Sequence, residues 1–396
     1  MRILWIKTEL LHPLDKGGRI RTYQMLRALA REHHVTYLCL DDGAAAPDAM
    51  QRASEYCAEL VTIPFHPAKK SGPAFILDLA RNLFSTLPYA VERYRSDAQR
   101  AAVARLAPGM DLIVCDFLFP SQNVASDLGV RTVLFQHNVE ATIWQRHVSV
   151  ARDLVRRLYL REQWRRMRRF EGKECRRFDR VIAVSEADAS AMRAEYGIAQ
   201  VRSVPTGVNL DYFVAPAARA CNGSEILFVG SMDWMPNEDG IRWFTESVFN
   251  LIRARIPDAT LTIVGRAPSE KLRKLAERTK GVQLTDTVPD VRPYLARARV
   301  SVVPLRIGGG TRIKVYEAMA MGIPVVSTRI GAEGLPVHHG EQLLLADSPA
   351  EQAESVTRLL SSPDEAKRLA ANALNFVRQH GSWDAVASNF LAQSLS

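Results

Sequence analysis

The sequence lacks the features that mark a secreted, disulfide-rich or membrane-spanning protein. Its five cysteines, at positions 39, 57, 115, 175 and 221, show no CxxC spacing and no accompanying histidine cluster. This argues against a disulfide framework and a structural zinc site, and it fits a reducing compartment. No run approaches about 18 uncharged apolar residues, so no membrane-spanning helix is expected. The amino-terminal apolar run is too short and too interrupted for a signal peptide. We therefore expect a cytoplasmic protein, free or bound to the inner face of a membrane.

The composition is that of a globular protein whose positive charge is gathered in one place. Of 396 residues, 47% are hydrophobic and 24% are charged, which predicts two or three domains with buried cores rather than a disordered chain. The net charge is +9, and the segment 152–180 holds twelve Lys and Arg against five Asp and Glu. This segment alone therefore gives a reason to expect an anionic partner.

Strands and helices alternate from the amino terminus onward. A strand is predicted over Arg2–Lys7, a helix over Arg19–Arg31 and a second strand over Val35–Leu40, with Gly17 and Gly18 in the loop before the helix. A strand, a glycine-containing loop, a helix and another strand are the usual opening of a doubly wound α/β sheet. The fold class predicted from this pattern is α/β with mostly parallel sheets.

The alternation breaks once and then starts again. Pro205–Phe213 and the Ala-, Pro-, Asn- and Gly-rich stretch 215–224 separate the first half from a new strand at Glu225–Gly230. This predicts an amino-terminal domain over 1–207 and a carboxy-terminal domain over 208–382, facing a central cleft. Ligands of open α/β sheets bind beyond the carboxyl ends of the strands, so the loops that follow strands are the candidate sites.

One such loop combines glycines, cations and a carboxylate. In the segment Val302–Glu317 (VVPLRIGGGTRIKVYE), a buried strand is followed by glycines at 308–310 and by a helix that carries Arg312, Lys314 and Glu317. The N–H groups at a helix start favour an anion, and two cations there are unfavourable unless an anion is bound. The glutamate can accept hydrogen bonds from vicinal hydroxyls such as those of a ribose. The alternative is an ordinary turn before a solvated basic helix.

This segment resembles a known enzyme family. The block Gly308–Leu335 is similar to the signature of the retaining GT-B glycosyltransferases of family GT4. The resemblance covers most of the chain, and it extends to a subgroup associated with bacterial polysaccharide export. Family-like stretches lie at 204–213, 228–263 and 288–304, and subgroup-like stretches at 135–140 (FQHNVE) and 178–188 (FDRVIAVSEAD).

The resemblance implies a fold and an activity. It implies two Rossmann-like domains, with the acceptor on the first and the nucleotide-sugar donor on the second, and a last helix, 383–396, that crosses back to the first domain. It implies transfer of a sugar from a UDP- or GDP-sugar to a hydroxyl acceptor, lipid-linked or a polysaccharide precursor, without a metal or another cofactor.

Two departures from the family pattern affect the donor site. The family has two glutamates eight positions apart; Glu317 matches the second, but Gly309 stands where the first would be. The family also carries an Arg and a Lys after the first strand of the second domain, and here these positions are Ser231 and Asn237. We therefore expect Arg312 and Lys314 to neutralise the donor diphosphate instead. The residues assigned to the donor are Gly17, Gly18, Gly230, Ser231, Gly309, Gly310, Thr311, Arg312, Lys314 and Glu317.

The first domain contributes a histidine. His137 follows the predicted strand Thr132–Phe135 and resembles the family's active-site histidine, so we interpret it as catalytic, beside the donor sugar and the incoming hydroxyl. The alternative is a structural histidine that holds its loop through Asn138. Asn138 and Glu140 are assigned to the acceptor side, and for Glu140 the alternative is a charge at a helix start.

The basic segment 152–180 is predicted to be helical, with an apolar stripe beside a face rich in arginine. It is interpreted either as a packed surface helix or as an attachment to anionic lipid. Nucleic acid is not expected as a partner, because no nucleic-acid-binding motif accompanies the charge.

Two other functions are compatible with the fold: a sugar-nucleotide epimerase, and a non-catalytic nucleotide-binding or scaffold protein.

Overall fold

The computed structural model describes residues 1–66, 72–150, 153–216, 223–307 and 312–396. The chain forms two compact units. Unit 1 contains Met1–Pro205 together with Trp383–Ser396, and unit 2 contains Thr206–Ser382.

Unit 1 is built on a seven-stranded sheet in which all the strand pairs are parallel. The strand order is β3-β2-β1-β4-β5-β6-β7. The central strands are buried on both faces, which is why they are continuous apolar runs in the sequence. The strands are β1 (Arg2–Lys7), β2 (His34–Asp41), β3 (Glu59–Pro64), β4 (Leu112–Asp116), β5 (Thr132–Gln136), β6 (Arg180–Ala183) and β7 (Val201–Ser203).

Helices cover both faces of this sheet and bury an apolar layer on each. Ser185 caps the helix that follows it, since its Oγ accepts a hydrogen bond from the N–H of Asp188 at 3.0 Å. The helices of the first part of the chain are α1 (Gly17–Leu29), α2 (Pro73–Asn82), α3 (Tyr89–Glu92), α4 (Asp97–Leu106), α5 (Glu140–Val150), α6 (Leu154–Arg177) and α7 (Glu186–Tyr196).

The start of α1 corrects the predicted position of the glycine pair. Gly17 and Gly18 are the first two residues of the helix, not part of the loop before it. The preceding residue, Lys16, makes no side-chain hydrogen bond to the helix end. Without a Ser, Thr, Asp or Asn cap, the sequence carries no signal for the true start, and the glycines favour a loop.

The described part of the basic segment forms the single long helix α6. Its second half packs into unit 1 through Met167 and Phe170, and Phe178 is buried just beyond its end. Its first turns are different, because Leu154 and Leu158 are exposed. Leu160 and Trp164, the other members of the predicted apolar stripe, are half-buried, and the two exposed leucines lie outside that stripe.

Unit 2 repeats the architecture with six parallel strands in the order β10-β9-β8-β11-β12-β13. The strands are β8 (Glu225–Val229), β9 (Thr260–Val264), β10 (Val282–Leu284), β11 (Val300–Val303), β12 (Val325–Ser327) and β13 (Leu344–Leu345). The helices are α8 (Met235–Trp243), α9 (Phe249–Arg255), α10 (Glu270–Arg278), α11 (Arg292–Arg297), α12 (Ile313–Ala320), α13 (Pro349–Ser361) and α14 (Pro363–His380).

Each sheet has a point where the strand order reverses. In unit 1 this point lies between β1 and β4, and in unit 2 it lies between β8 and β11. The connections leave these neighbouring strands in opposite directions, so a crevice opens beyond their carboxyl ends. The groups described below lie at these two points.

The last helix, α15 (Trp383–Leu395), belongs to unit 1, where it packs against α1. Phe390 is buried and its ring lies 5.5 Å from that of Trp5 and 5.0 Å from that of Phe135, measured between centroids. The predicted fold class, two Rossmann-like α/β units with a carboxy-terminal helix on the first, is confirmed.

Within the parts of the chain that the structure describes, none of the helices combines the length and the apolar character needed to cross a bilayer.

The packing of Phe390 gives a test of this arrangement. Phe390→Ala is expected to lower the free energy of unfolding of unit 1 by about 3–5 kcal/mol, because it leaves a cavity between the helix and the sheet. The measurement is denaturant unfolding. The control Leu395→Ala, at an exposed position of the same helix, should change the value by less than about 0.5 kcal/mol. Equal stability of the two variants would contradict this packing.

Candidate active site

A buried carboxylate lies at the point of unit 1 where the strand order reverses. Asp116, the last residue of β4, is fully buried. Its Oδ2 accepts hydrogen bonds from Trp5 Nε1 (3.0 Å), Lys7 Nζ (2.8 Å) and Thr22 Oγ1 (2.6 Å). These donors lie on β1 and α1, whereas the carboxylate lies on β4. The hydrogen bonds therefore connect the elements on the two sides of the crevice.

The other oxygen of this carboxylate faces the predicted catalytic histidine. Asp116 Oδ1 lies 2.7 Å from Nε2 of His137, which is itself buried just beyond β5. Burial lowers the pKa of His137 to about 4, although the neighbouring carboxylate opposes the shift. The imidazole is therefore neutral at pH 7. A proton on Nε2 avoids repulsion with the carboxylate and leaves a lone pair on Nδ1.

The carboxylate stays ionised in this setting. Burial by itself would raise the pKa of Asp116, but the charge of Lys7, together with His137, lowers it below the usual value. The alternative interpretation of His137, a link to Asn138, is not what the contacts show, because the partner of the ring is Asp116.

A strained phenylalanine holds the imidazole from one side. Phe117 has φ +75°, which is rare for a residue with a large side chain. Its ring stacks on that of His137 at a centroid distance of 3.9 Å. A Cβ on Gly18 would lie 3.0 Å from the same ring, so the second residue of α1 has to be small. The structure thus brings together Gly18 and His137, which lie 119 positions apart in the sequence.

Glu140 is the first residue of α5 and is buried beside a second carboxyl group. Burial and the nearby charge of Glu171 raise the pKa of Glu140 to about 7. Its recorded side-chain contact is Asn138 Nδ2, at 3.3 Å from Oε1. Glu140 therefore lies at a helix start, which is the alternative position considered for it.

Glu171 of α6 fixes the loop that carries His137. Its carboxylate accepts hydrogen bonds from the backbone N–H groups of Glu140 and Ala141, both at 2.9 Å. It also accepts from Gln136 Nε2 at 3.1 Å and from the Tyr196 hydroxyl at 2.7 Å. Four donors on one buried carboxylate hold both ends of the loop.

In unit 2 a lysine contacts Asn237, one of the two positions where the family has a cation and this chain has a neutral residue. Lys314, in the first turn of α12, donates a hydrogen bond from Nζ to Asn237 Oδ1 at 2.5 Å. A Cβ on Gly230, just after β8, would lie 2.9 Å from the same Nζ, so glycine allows this close approach. Burial lowers the pKa of Lys314 to about 7, and the charge of Arg312 adds to the shift.

An arginine reaches the other neutral position. Arg266 follows β9 and donates from Nε to the Oγ of Ser231 at 2.7 Å. The same serine donates to Asp233 Oδ1 at 2.5 Å, and Asp233 pairs with the Arg266 guanidinium at 3.1 Å. Ser231 and Asn237 are each contacted by a cation that the sequence places elsewhere.

The structure describes only some of the remaining residues assigned to the nucleotide-sugar donor. Arg312 is buried and its guanidinium lies 3.4 Å from a carboxylate oxygen of Glu333. Burial raises the pKa of Glu317 to about 7, and Lys314 opposes the shift. Gly309, Gly310 and Thr311 lie outside the described residues. Among the described residues, no three His, Cys, Asp or Glu side chains are grouped to hold a metal ion.

Lys7, Asp116, Glu171 and Arg266 were not assigned to the site from the sequence, although the loop that holds Arg266 follows a strand and was therefore among the candidate loops. Asp116 and Arg266 carried the same signal as His137, because each lies at or just after the carboxyl end of a strand. Lys7 is the last residue of its strand and shares that signal. Glu171 lies within a helix among many charged neighbours, so nothing in its sequence position distinguishes it.

Two family models match consecutive parts of the chain. The model "Glycosyltransferase Family 4" matches residues 16–212, and "Glycosyl transferases group 1" matches residues 223–362. The two Rossmann-like units are those of the GT-B fold. The first part of the chain therefore carries a domain of the glycosyltransferase family 4 type, and the second part carries a domain of the group 1 type.

Three similar proteins illustrate the relationship. The "Uncharacterized 44.6 kDa protein in cps region" of Klebsiella pneumoniae is 23% identical over 96% of both chains. A GDP-mannose-dependent alpha-(1-6)-phosphatidylinositol monomannoside mannosyltransferase of Mycobacterium tuberculosis is 27% identical over 83% of this chain and 95% of its own. The structure of Anabaena HepE in complex with UDP and glucose superposes with a TM-score of 0.70 at 15% identity, over 100% of both chains.

The raised pKa of Glu140 predicts a pH-dependent effect of its replacement. A carboxyl group whose pKa is higher in the folded state destabilises that state as the pH rises from about 4.5 through about 7. Glu140→Gln is therefore expected to raise the free energy of unfolding of unit 1 by about 1–3 kcal/mol at pH 8, with the gain vanishing near pH 4.5.

Denaturant unfolding at several pH values measures this effect. The control Glu32→Gln, at an exposed position, should show no comparable change with pH. A Glu140→Gln protein that is equally destabilised at pH 5 and pH 8 would contradict the prediction.

Proposed function

We propose that the protein transfers a sugar, with retention of configuration, from a UDP- or GDP-sugar to a hydroxyl acceptor. Unit 2 binds the donor and unit 1 contributes the acceptor side. The observation that carries this proposal is the pair of cations, Lys314 and Arg266, that contact the two neutral positions Asn237 and Ser231.

The charge around Lys314 supports an anionic ligand. Its hydrogen-bond partner is an amide oxygen, and its pKa is lowered to about 7 because it is partly buried beside Arg312. A diphosphate at this place would stabilise the protonated ammonium and raise that pKa again. The cost of holding two cations close together is then offset by the ligand.

The other donor groups have separate roles in this proposal. Glu317 lies three residues beyond Lys314 on α12, and its carboxylate would accept hydrogen bonds from the ribose hydroxyls. The backbone of Gly309, Gly310 and Thr311 would donate to the phosphates. Gly17 and Gly18 lie in the first turn of α1, where no side chain caps the helix, and their N–H groups are proposed to contribute to donor binding, as the family resemblance implies.

No cofactor is required in this scheme, and none is proposed. The charge that develops on the leaving diphosphate is neutralised by Lys314, Arg312 and Arg266, which is the role that a divalent cation has in other transferases. Metal-independent transfer is therefore part of the proposal.

His137 would act beside the reacting sugar. The neutral ring, whose Nε2 lies 2.7 Å from Asp116 Oδ1, would offer its Nδ1 lone pair to a hydroxyl of the donor sugar or the acceptor. Phe117 and Asp116 prevent the ring from turning away. Asn138 and Glu140 are proposed to contact the acceptor.

The acceptor is proposed to be lipid-linked or a polysaccharide precursor. The mycobacterial relative is named for a phosphatidylinositol monomannoside acceptor, and the Klebsiella relative for a cps region. The positive charge of 152–180 agrees with work at an anionic membrane surface on the cytoplasmic side. The assignment to the polysaccharide-export subgroup is part of this proposal.

Donor binding tests the role of the two cations on α12. Lys314→Ala and Arg312→Ala are each expected to weaken binding of UDP or GDP by about 10- to 100-fold, because each removes a charge-assisted contact. Calorimetric titration gives the affinity. The control is Arg273→Ala, which removes an exposed arginine paired with Asp286. Unchanged affinity of both variants would remove the basis of the donor site, and failure of every nucleotide to bind the native protein would favour a scaffold.

Catalysis tests the role of the histidine. His137→Gln is expected to lower kcat by about 100- to 10,000-fold, with little change in donor affinity, because the ring acts on the reacting hydroxyl. Release of UDP or GDP from the donor, with a lipid extract as the source of acceptor, gives the rate. His147→Gln, an exposed histidine on α5, serves as the control. A His137→Gln protein with native kcat would show that the histidine is structural.

A further inference from the structure

Unit 1 presents an apolar corner to solvent. Phe84, just beyond the end of α2, is 94% exposed, and Leu77 and Leu83 are each 51% exposed. We call these three residues the apolar corner. Exposed apolar side chains that stand together are a common sign of an interaction surface.

Buried polar contacts with α6 hold the backbone of the turn that carries the apolar corner. Gln163 Nε2 of α6 donates to Asn82 Oδ1 at 2.8 Å. Arg166 of the same helix donates to the carbonyl oxygens of Asn82 and Leu83 at 2.6 and 3.0 Å. Asn82 Nδ2 also donates to the carbonyl of Leu87 at 3.1 Å. The exposure of Phe84 is therefore set by an anchored turn and is a stable feature of this surface.

A basic cavity begins where the corner ends. Its volume is about 440 Å³, within the range of small-molecule sites. Leu87, whose carbonyl accepts a hydrogen bond from Asn82, is one of its walls, so the anchored turn leads from the corner to the cavity. Its other apolar walls include Val124 and Phe170, and its charged walls are Arg95, Arg100, Lys173, Glu174 and Arg177.

The cavity has an excess of positive charge. Arg177 pairs with Glu174 and donates to the carbonyl oxygens of Ser121 and Val124 at 2.7 and 2.8 Å. Among the described residues, no ion pair is formed by the other three cations of the cavity. Those three cations are Arg95, Arg100 and Lys173. A ligand that carries a phosphate would supply the missing negative charge.

We propose that the apolar corner and the basic cavity together bind an anionic phospholipid in a bilayer. Phe84 and Leu83 enter the boundary between head groups and acyl chains, and the cavity holds the lipid phosphate. A free phosphate would need only the cations, whereas a bilayer explains why an anchored phenylalanine stands beside them. The proposal deepens the membrane part of the proposed function and places the contact at the α2–α3 turn and the second half of α6.

Vesicle sedimentation with the full chain tests this assignment, using phosphatidylglycerol vesicles and phosphatidylcholine vesicles without nucleotide. The native protein is expected to bind the first and not the second. Phe84→Ser should weaken binding about tenfold or more, since it removes one inserted aromatic side chain. The double variant Arg95→Gln with Lys173→Gln should weaken it about 30-fold, at roughly one charge contact each. The matched control is Lys271→Gln with Lys367→Gln, two exposed lysines of unit 2, which should bind as the native protein does.

The outcomes separate this proposal from its competitors. Native binding by Phe84→Ser and by the cavity variant would overturn it. The proposal would also be overturned if the double variant Leu154→Ser with Leu158→Ser lost binding while Phe84→Ser still bound. The membrane-binding surface would then be the first turns of α6. Competition by glycerol phosphate, with no dependence on Phe84, would show a site for a free phosphate. Sedimentation does not involve sugar transfer, so failure here leaves the donor and histidine tests unaffected.

Discussion

The buried carboxylate of Asp116 is the constraint on which unit 1 depends. A carboxylate without water must be paired and fully hydrogen-bonded, or it becomes protonated. Its partners come from β1, α1 and the loop after β5, so satisfying one group fixes the relative positions of three elements. Removing Lys7 would leave an unpaired buried charge, and removing Asp116 would release His137 and strand the ammonium of Lys7.

The two units differ in how a lysine near the reversal point of the sheet is paired. At the reversal point of unit 1, the cation Lys7 has a carboxylate partner at 2.8 Å. At the reversal point of unit 2, the amide oxygen of Asn237 is the one hydrogen-bond partner of Lys314 among the described residues, which do not include 308–311. The first arrangement is electrostatically complete within the protein. The second becomes complete when an anion arrives, which is the physical basis for placing the diphosphate in unit 2.

The sequence was sufficient for the elements and insufficient for most of the contacts. Strands such as Thr260–Val264 are apolar runs of the right length, and their alternation with helices defines the fold class. The three-residue strand Val201–Ser203 was missed because an exposed arginine at its centre interrupts the apolar pattern. His137 was found because it follows a strand. The link between Lys314 and Asn237 joins residues 77 positions apart, and no local pattern carries that information.

The departure at Ser231 and Asn237 illustrates the same limit. From the sequence, both positions had lost the cation that the family places there, and the compensation was sought within α12. In the structure Arg266, on the loop after β9, contacts Ser231, and the proposed donor site uses this arginine as well. A charge can be kept in one place while its source moves to another strand end, because parallel strands bring their carboxyl ends together at one edge of the sheet.

The position of α15 has a consequence for synthesis. This helix supplies Phe390 to the core of unit 1, yet it is translated only after the whole of unit 2. Domains generally fold in the order in which they leave the ribosome. Unit 1 is an exception. Its seven strands are synthesised first, but its core is completed only when α15, which follows unit 2 in the sequence, has been synthesised. Until then the apolar surface around Trp5 and Phe135 stays open, and a chain interrupted within unit 2 would expose it to aggregation or to a chaperone.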